Sequence, residues 1–118
     1  MNNITKDMLA KYRDISVRAL KIAKESISPG KKIEAKEIIT MVEAYLSDSK
    51  HFEIKGDLVN AFGAIYYAHG WLDCGARLKI FDVSDDKLFT IWTNNETHKH
   101  HKHKWSEKAY RKVESIYL

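Results

Sequence analysis

Gly56-Asp57-Leu58-Val59-Asn60-Ala61-Phe62-Gly63-Ala64-Ile65-Tyr66-Tyr67-Ala68-His69-Gly70-Trp71-Leu72-Asp73-Cys74-Gly75-Ala76-Arg77-Leu78 decides the fold. The stretch has no proline and is apolar nearly all round a helical wheel, which predicts a central helix covered by neighbours on several sides. Asp57 reads as its N-cap, because a carboxylate accepts from the free first-turn amides and suits the positive end of the helix dipole. The spacing carries the helix to about Ile80. Gly63, Gly70 and Gly75 lie inside it, and each costs about 1 kcal/mol against alanine in an exposed helix. Close approach of a neighbouring helix is the expected return. Gly63 and Gly70, one heptad apart, are expected to lie under the same partner.

Two more periodic segments precede this one. From Thr5 to about Ser26, the residues Met8, Tyr12, Ile15, Ala19 and Ile22 form an apolar stripe, widened by Leu9, Leu20, Ala23 and Ile27. Lys11, Arg13, Asp14, Arg18, Lys21 and Lys24 fall on the other side, as an amphipathic helix requires. Ser28-Pro29-Gly30 closes it, since proline cannot continue a helix. The second segment runs from about Lys32 to Ser49, with Ile33, Ile38, Val42, Tyr45 and Leu46 inward. Ser47-Asp48-Ser49 weakens it, and His51-Phe52-Glu53-Ile54 reads as a bridge to the third helix.

After Phe81 the pattern degrades. Asp82-Val83-Ser84-Asp85-Asp86 reads as a turn-rich linker, and Leu88, Phe89, Ile91 and Trp92 as a pinned arm. A last amphipathic piece carries Trp105, Ala109, Val113 and Ile116 at helical spacing. It is marginal alone and needs something to dock on. The expected fold is all-α: an antiparallel three-helix bundle with a C-terminal arm and a short fourth helix. The bundle domain spans 1–92, and a His/Lys-rich linker with the last helix spans 93–118.

The 56–78 stretch also resembles a family. It follows the pattern G-D-x-x-x-A-x-x-x-x-x-Y-A-x-G-W-L-D-x-G-x-R-L and is similar to the archaeal DUF357 proteins over roughly residues 8–91, most strongly over 56–81. The resemblance implies a small antiparallel three-helix bundle and an archaeal source, and it brings no activity. The segment after about Trp92 inherits nothing from it.

The chain has 118 residues, 44% of them hydrophobic and 31% charged. That suits one globular domain. No apolar run is long enough for a membrane span, and the polar opening predicts no secretory leader. A lone Cys74 excludes a disulfide framework and a cysteine-based zinc site. A cytoplasmic protein is expected. Net charge is +4, but residues 96–118 hold six basic and three acidic residues, so most of the excess sits in the last fifth.

Four constellations bear on chemistry. His69, Asp73 and Arg77 recur at i, i+4 and i+8, so they stack on one helix face. A carboxylate-oriented histidine suits general base work, and an arginine suits an anionic ligand; Tyr66 stands beside them. The plainer reading is a charge ladder in which polar groups satisfy one another. Tyr66, Tyr67 and Trp71, with Tyr12 and Tyr45, suit a ligand pocket, although helical spacing alone predicts core. His98, His100, His101 and His103 pair at either helical or extended spacing and suit zinc, nickel or copper. Lys99, Lys102 and Lys104 repel a cation there, so a solvated tail is the plainer reading. The basic tail with Trp105 and Tyr110 has the single-strand nucleic-acid ingredients, diluted by Glu107 and Glu114.

No phosphate loop or hydrolase motif is present, and no cofactor is implied. The reading favours a non-enzymatic interaction or accessory module that self-associates or binds a protein partner, with Trp105, Ala109, Val113 and Ile116 as interface. Small anionic-ligand binding or catalysis at His69, Asp73 and Arg77 is the alternative, followed by nucleic-acid contact through the tail.

Overall fold

The computed structural model describes residues 3–84 and 88–89. They form three helices, α1 (Lys6–Lys24), α2 (Lys32–Ile54) and α3 (Leu58–Arg77), in an all-α antiparallel bundle. Helix α3 packs against both others, while α1 and α2 touch each other little. The expected fourth helix and most of the arm lie outside the described residues; Leu88 and Phe89 of the arm are buried.

Thr5 caps α1, its hydroxyl accepting from the Met8 amide at 3.1 Å. The buried line of α1 is Leu9, Ser16, Ala19, Leu20 and Ala23. The expected stripe is therefore rotated: Met8 lies at its exposed margin. On α2 the line is Ala35, Ile38, Val42 and Ser49, and Ile33 is 81% exposed. These inward positions are mostly small, which lets the helix axes approach where bulky residues would hold them apart.

Helix α2 also runs five residues beyond its expected end, straight through Ser47-Asp48-Ser49. Ser49 is fully buried yet satisfied. Its hydroxyl donates to the Leu46 carbonyl at 2.7 Å and accepts from Arg13 Nη2 at 3.2 Å. Arg13 Nη1 meets Glu53 Oε1 at 2.7 Å, and the arginine side chain is only 14% exposed. A serine that bonds its own turn is tolerated inside a helix. Arg13 thus faces a partner helix, not solvent as its wheel position suggests.

Asp57 caps α3 as expected, accepting from the Asn60 amide at 3.1 Å. The Asn60 side chain, and then its backbone N–H, hold the Asp57 carboxyl below its ordinary value of 3.8. A lowered folded pKa means that the contribution to stability is complete above the ordinary value and fades as pH falls through the lowered one. The Asp57 titration, followed by NMR, is expected to move up towards 3.8 in Asn60→Ala.

Helix α3 ends at Arg77, three residues before the expected stop. Ile80 N–H bonds the Gly75 carbonyl at 2.9 Å and Lys79 N–H the Ala76 carbonyl at 3.2 Å. This is a Schellman closure, which requires a left-handed residue. Here that residue is Lys79, at φ 62°. Helix α2 closes the same way with a glycine, Gly56, at φ 81°. Lys79→Gly is expected to raise stability by about 1 kcal/mol in urea denaturation, because glycine carries no side-chain penalty in this conformation.

The chain beyond α3 folds back onto the α1–α2 connection. Ser28 N–H bonds the Ile80 carbonyl at 3.0 Å and Asp82 N–H the Ser26 carbonyl at 2.7 Å. This pairing drops the Phe81 ring into the core. Phe81 joins Ala19, Ala23, Ile38, Val42 and Leu72 in the main cluster, while Leu9, Ala61 and Ile65 form a smaller one.

Candidate functional site

The buried line of α3 is Ala61, Ala64, Ile65, Ala68, Leu72, Gly75 and Ala76. Two sites flank it. One is a cavity of about 450 Å³ beside α1, and the other is a groove of about 600 Å³ on the outer face of α3.

His69 forms the cavity's polar wall. Its Nε2 lies 2.7 Å from the Leu88 carbonyl oxygen. A carbonyl only accepts, so Nε2 carries the proton. In the neutral ring Nδ1 is then the acceptor, 3.0 Å from Ser16 Oγ, whose hydroxyl donates to it. Asp73 Oδ1 stands 3.7 Å from Nε2, near enough for attraction but beyond hydrogen-bond reach. Tyr66, His69 and Asp73 line the same cavity, as the ladder predicts. Arg77, the last residue of α3, is exposed and does not line it.

Sequence reasoning missed Ser16, which lies 53 residues from His69, and the Leu88 carbonyl. A serine hydroxyl on a histidine nitrogen has the contact of an activated nucleophile. Two features argue against that role. Ser16 borders the cavity but is 1% exposed, so its oxygen offers little surface for attack. Both ring nitrogens of His69 are engaged, one by a backbone carbonyl that holds the arm. The arrangement is a bridge between α1, α3 and the arm.

The outer groove has Gly63 and Gly70 as its floor, two turns apart. Tyr66 stands on one side, and Tyr67 and Trp71 on the other. Tyr66 is 59% and Tyr67 66% exposed, so they are surface residues and not core. Each is braced. Tyr67 stacks on Tyr45 of α2 at 5.3 Å between ring centres, and Tyr66 meets Phe62 at 4.8 Å. The two glycines do not lie under a helix of this bundle. Among the described residues, a Cβ at either meets nothing within 4 Å. Close approach inside the bundle belongs to the α3 alanines and to Gly75.

Among the described residues, no group of three or more His, Cys, Asp and Glu side chains is placed to hold a metal. His98, His100, His101 and His103 lie outside the described residues, as do Trp105, Ala109, Val113 and Ile116. No helix among the described residues is long and apolar enough to cross a membrane.

Residues 11–81 match the model of a family described as "Protein of unknown function (DUF357)". The chain belongs to the DUF357 family. No curated protein matches it, and no solved structure does. The DUF357 match runs from the second turn of α1 to Phe81, so it takes in both the His69 bridge and the glycine floor. It stops short of Leu88, which closes the cavity.

Proposed function

We propose that this DUF357 chain is a non-enzymatic interaction module that receives an apolar helix of a protein on the outer face of α3. The observation that carries this reading is the exposed groove over Gly63 and Gly70, flanked by braced aromatic rings. A monomeric surface rarely leaves such a patch uncovered. Helix-in-groove recognition needs what is here: a floor without side chains and rigid apolar walls. The walls lose little freedom on binding, because Tyr45 and Phe62 already hold Tyr67 and Tyr66. The engaged nitrogens of His69 and the buried Ser16 hydroxyl speak against the catalytic alternative.

The test is a titration with an amphipathic leucine/lysine peptide of about 15 residues, long enough to form a helix when held. It is added to the full chain carrying Val113→Asp and Ile116→Asp, so that the chain's own apolar stripe does not compete. NMR shifts are expected at Gly63, Tyr67, Gly70 and Trp71. Adding Gly70→Leu fills the groove and is expected to abolish them. Gly70→Ala alone is expected to raise stability by about 1 kcal/mol, since the site is open and alanine is the better helix former. Shifts elsewhere, or binding indifferent to Gly70→Leu, would overturn the reading.

A further inference from the structure

We infer that the groove's resident occupant is the chain's own C-terminal segment, Trp105–Leu118, which a partner helix must displace. This rests on the docking role proposed for α3 and names what fills the face when no partner is present.

Three observations converge. The first is where the chain leaves the described structure. Leu88 is tied through its carbonyl to His69 at 2.7 Å, and His69 is the neighbour of Gly70 in the groove floor. The tether therefore starts in the cavity that shares Tyr66 and Gly70 with the groove. The second is reach. Fifteen residues, 90–104, separate Phe89 from Trp105; a chain of that length spans up to roughly 50 Å. All of α3 is only about 30 Å long, so the tether reaches any part of its face.

The third is spacing. Trp105, Ala109, Val113 and Ile116 recur at helical intervals. Ala109 and Ile116 are seven apart, the same two-turn repeat as Gly63 and Gly70. A helix laid along α3 would bring one side chain of that stripe over each glycine. On the same helical spacing Glu107, Arg111 and Glu114 fall opposite that stripe.

Intrachain closure is favoured over a second copy by concentration. A tether of this length supplies its segment at an effective concentration on the order of 1 mM, above the micromolar level of a second chain in dilute solution. A segment that binds the groove with an affinity tenfold tighter than that concentration closes it about ten to one. A partner helix then binds with roughly tenfold weaker apparent affinity until the segment is displaced.

Cys74 reports the state of the groove without any added label. It is the chain's single cysteine, it is exposed among the described residues and it lines the groove one turn beyond Gly70. The experiment follows its alkylation by N-ethylmaleimide in the full chain. Cys74 is expected to react about tenfold faster in Val113→Asp/Ile116→Asp than in wild type. Gly70→Leu, which fills the groove from the α3 side and leaves the tail untouched, is expected to speed it similarly. The wild-type rate is expected to be independent of protein concentration.

Equal rates in wild type and the tail variant would overturn the inference. So would protection that grows with protein concentration, since the occupant would then be a second copy. Either result leaves the docking role standing if the peptide still binds. Failure of the peptide at an accessible Cys74 would remove both.

Discussion

Phe81→Ala is expected to lower stability by about 3–5 kcal/mol, the cost of removing a buried aromatic ring and leaving a cavity. Phe81 is fully buried and, with Phe89, the largest such side chain among the described residues. A domain of this kind is stable by only about 5–15 kcal/mol, so the variant loses a large share, and urea denaturation should be run in the cold. The sharper experiment pairs it with Gly75→Ala. A methyl at Gly75 would overlap the Phe81 ring and stand 3.1 Å from Ile38 Cδ1. Overpacking at such a site costs about 1–3 kcal/mol, which outweighs the helical advantage of alanine, about 1 kcal/mol. With the ring removed the methyl has room. Gly75→Ala is then expected to change sign and stabilise the Phe81→Ala background. A coupling of about 1–3 kcal/mol measures the contact directly. Additive effects would mean that the ring moves aside freely and that the close approach is incidental.

That same glycine shows where the sequence was legible and where it was not. Three helices, the Asp57 cap and the central place of the third follow from apolar periodicity and turn chemistry, both local properties. The three interior glycines look alike in the sequence, yet they divide in the fold. Gly75 sits under Phe81, whereas a Cβ at Gly63 or Gly70 meets none of the described residues within 4 Å. Only the return of the chain past Lys79 decides this, through pairing with Ser26 and Ser28.

The helix ends were misread for a similar reason. Ser49 looks like a breaker until Arg13 is brought to it from 36 residues away. Tyr66 and Tyr67 read as core because hydropathy cannot say which side of an all-apolar helix is left without a neighbour. With two described helices to pack against, a helix that is apolar on every face keeps one face uncovered by them, and here it is the aromatic one. The His69–Asp73 part of the candidate site was visible as an i, i+4 ladder. Ser16 and the Leu88 carbonyl were not, since their contacts with His69 are tertiary.

The bridge at His69 yields the second large effect. His69→Leu keeps the volume but removes both polar functions. It leaves the Ser16 hydroxyl, 1% exposed, facing an apolar group, and it takes the histidine donor from the Leu88 carbonyl. Leaving a buried polar group unsatisfied costs about 1–3 kcal/mol, so a loss of that size is expected from the Ser16 end. His69→Gln should recover more than half of this, because its amide can donate to Leu88 and accept from Ser16.

Adding Ser16→Ala to His69→Leu should also regain about 1 kcal/mol, since an apolar pair replaces a broken polar one. A role confined to packing would predict the reverse order, with leucine tolerated and glutamine poor. Hydrogen exchange supplies the readout specific to the bridge. In His69→Leu the amides of Leu88 and Phe89 should lose protection before those of α1 and α2, because the arm is released while the helices remain. Cys74 alkylation in the same variant should fall to a smaller protection factor, as the tether would no longer start in the cavity that shares Tyr66 and Gly70 with the groove. If His69→Leu is as stable as wild type and the arm stays protected, His69 is not the bridge, and the catalytic alternative for His69 and Asp73 regains its place.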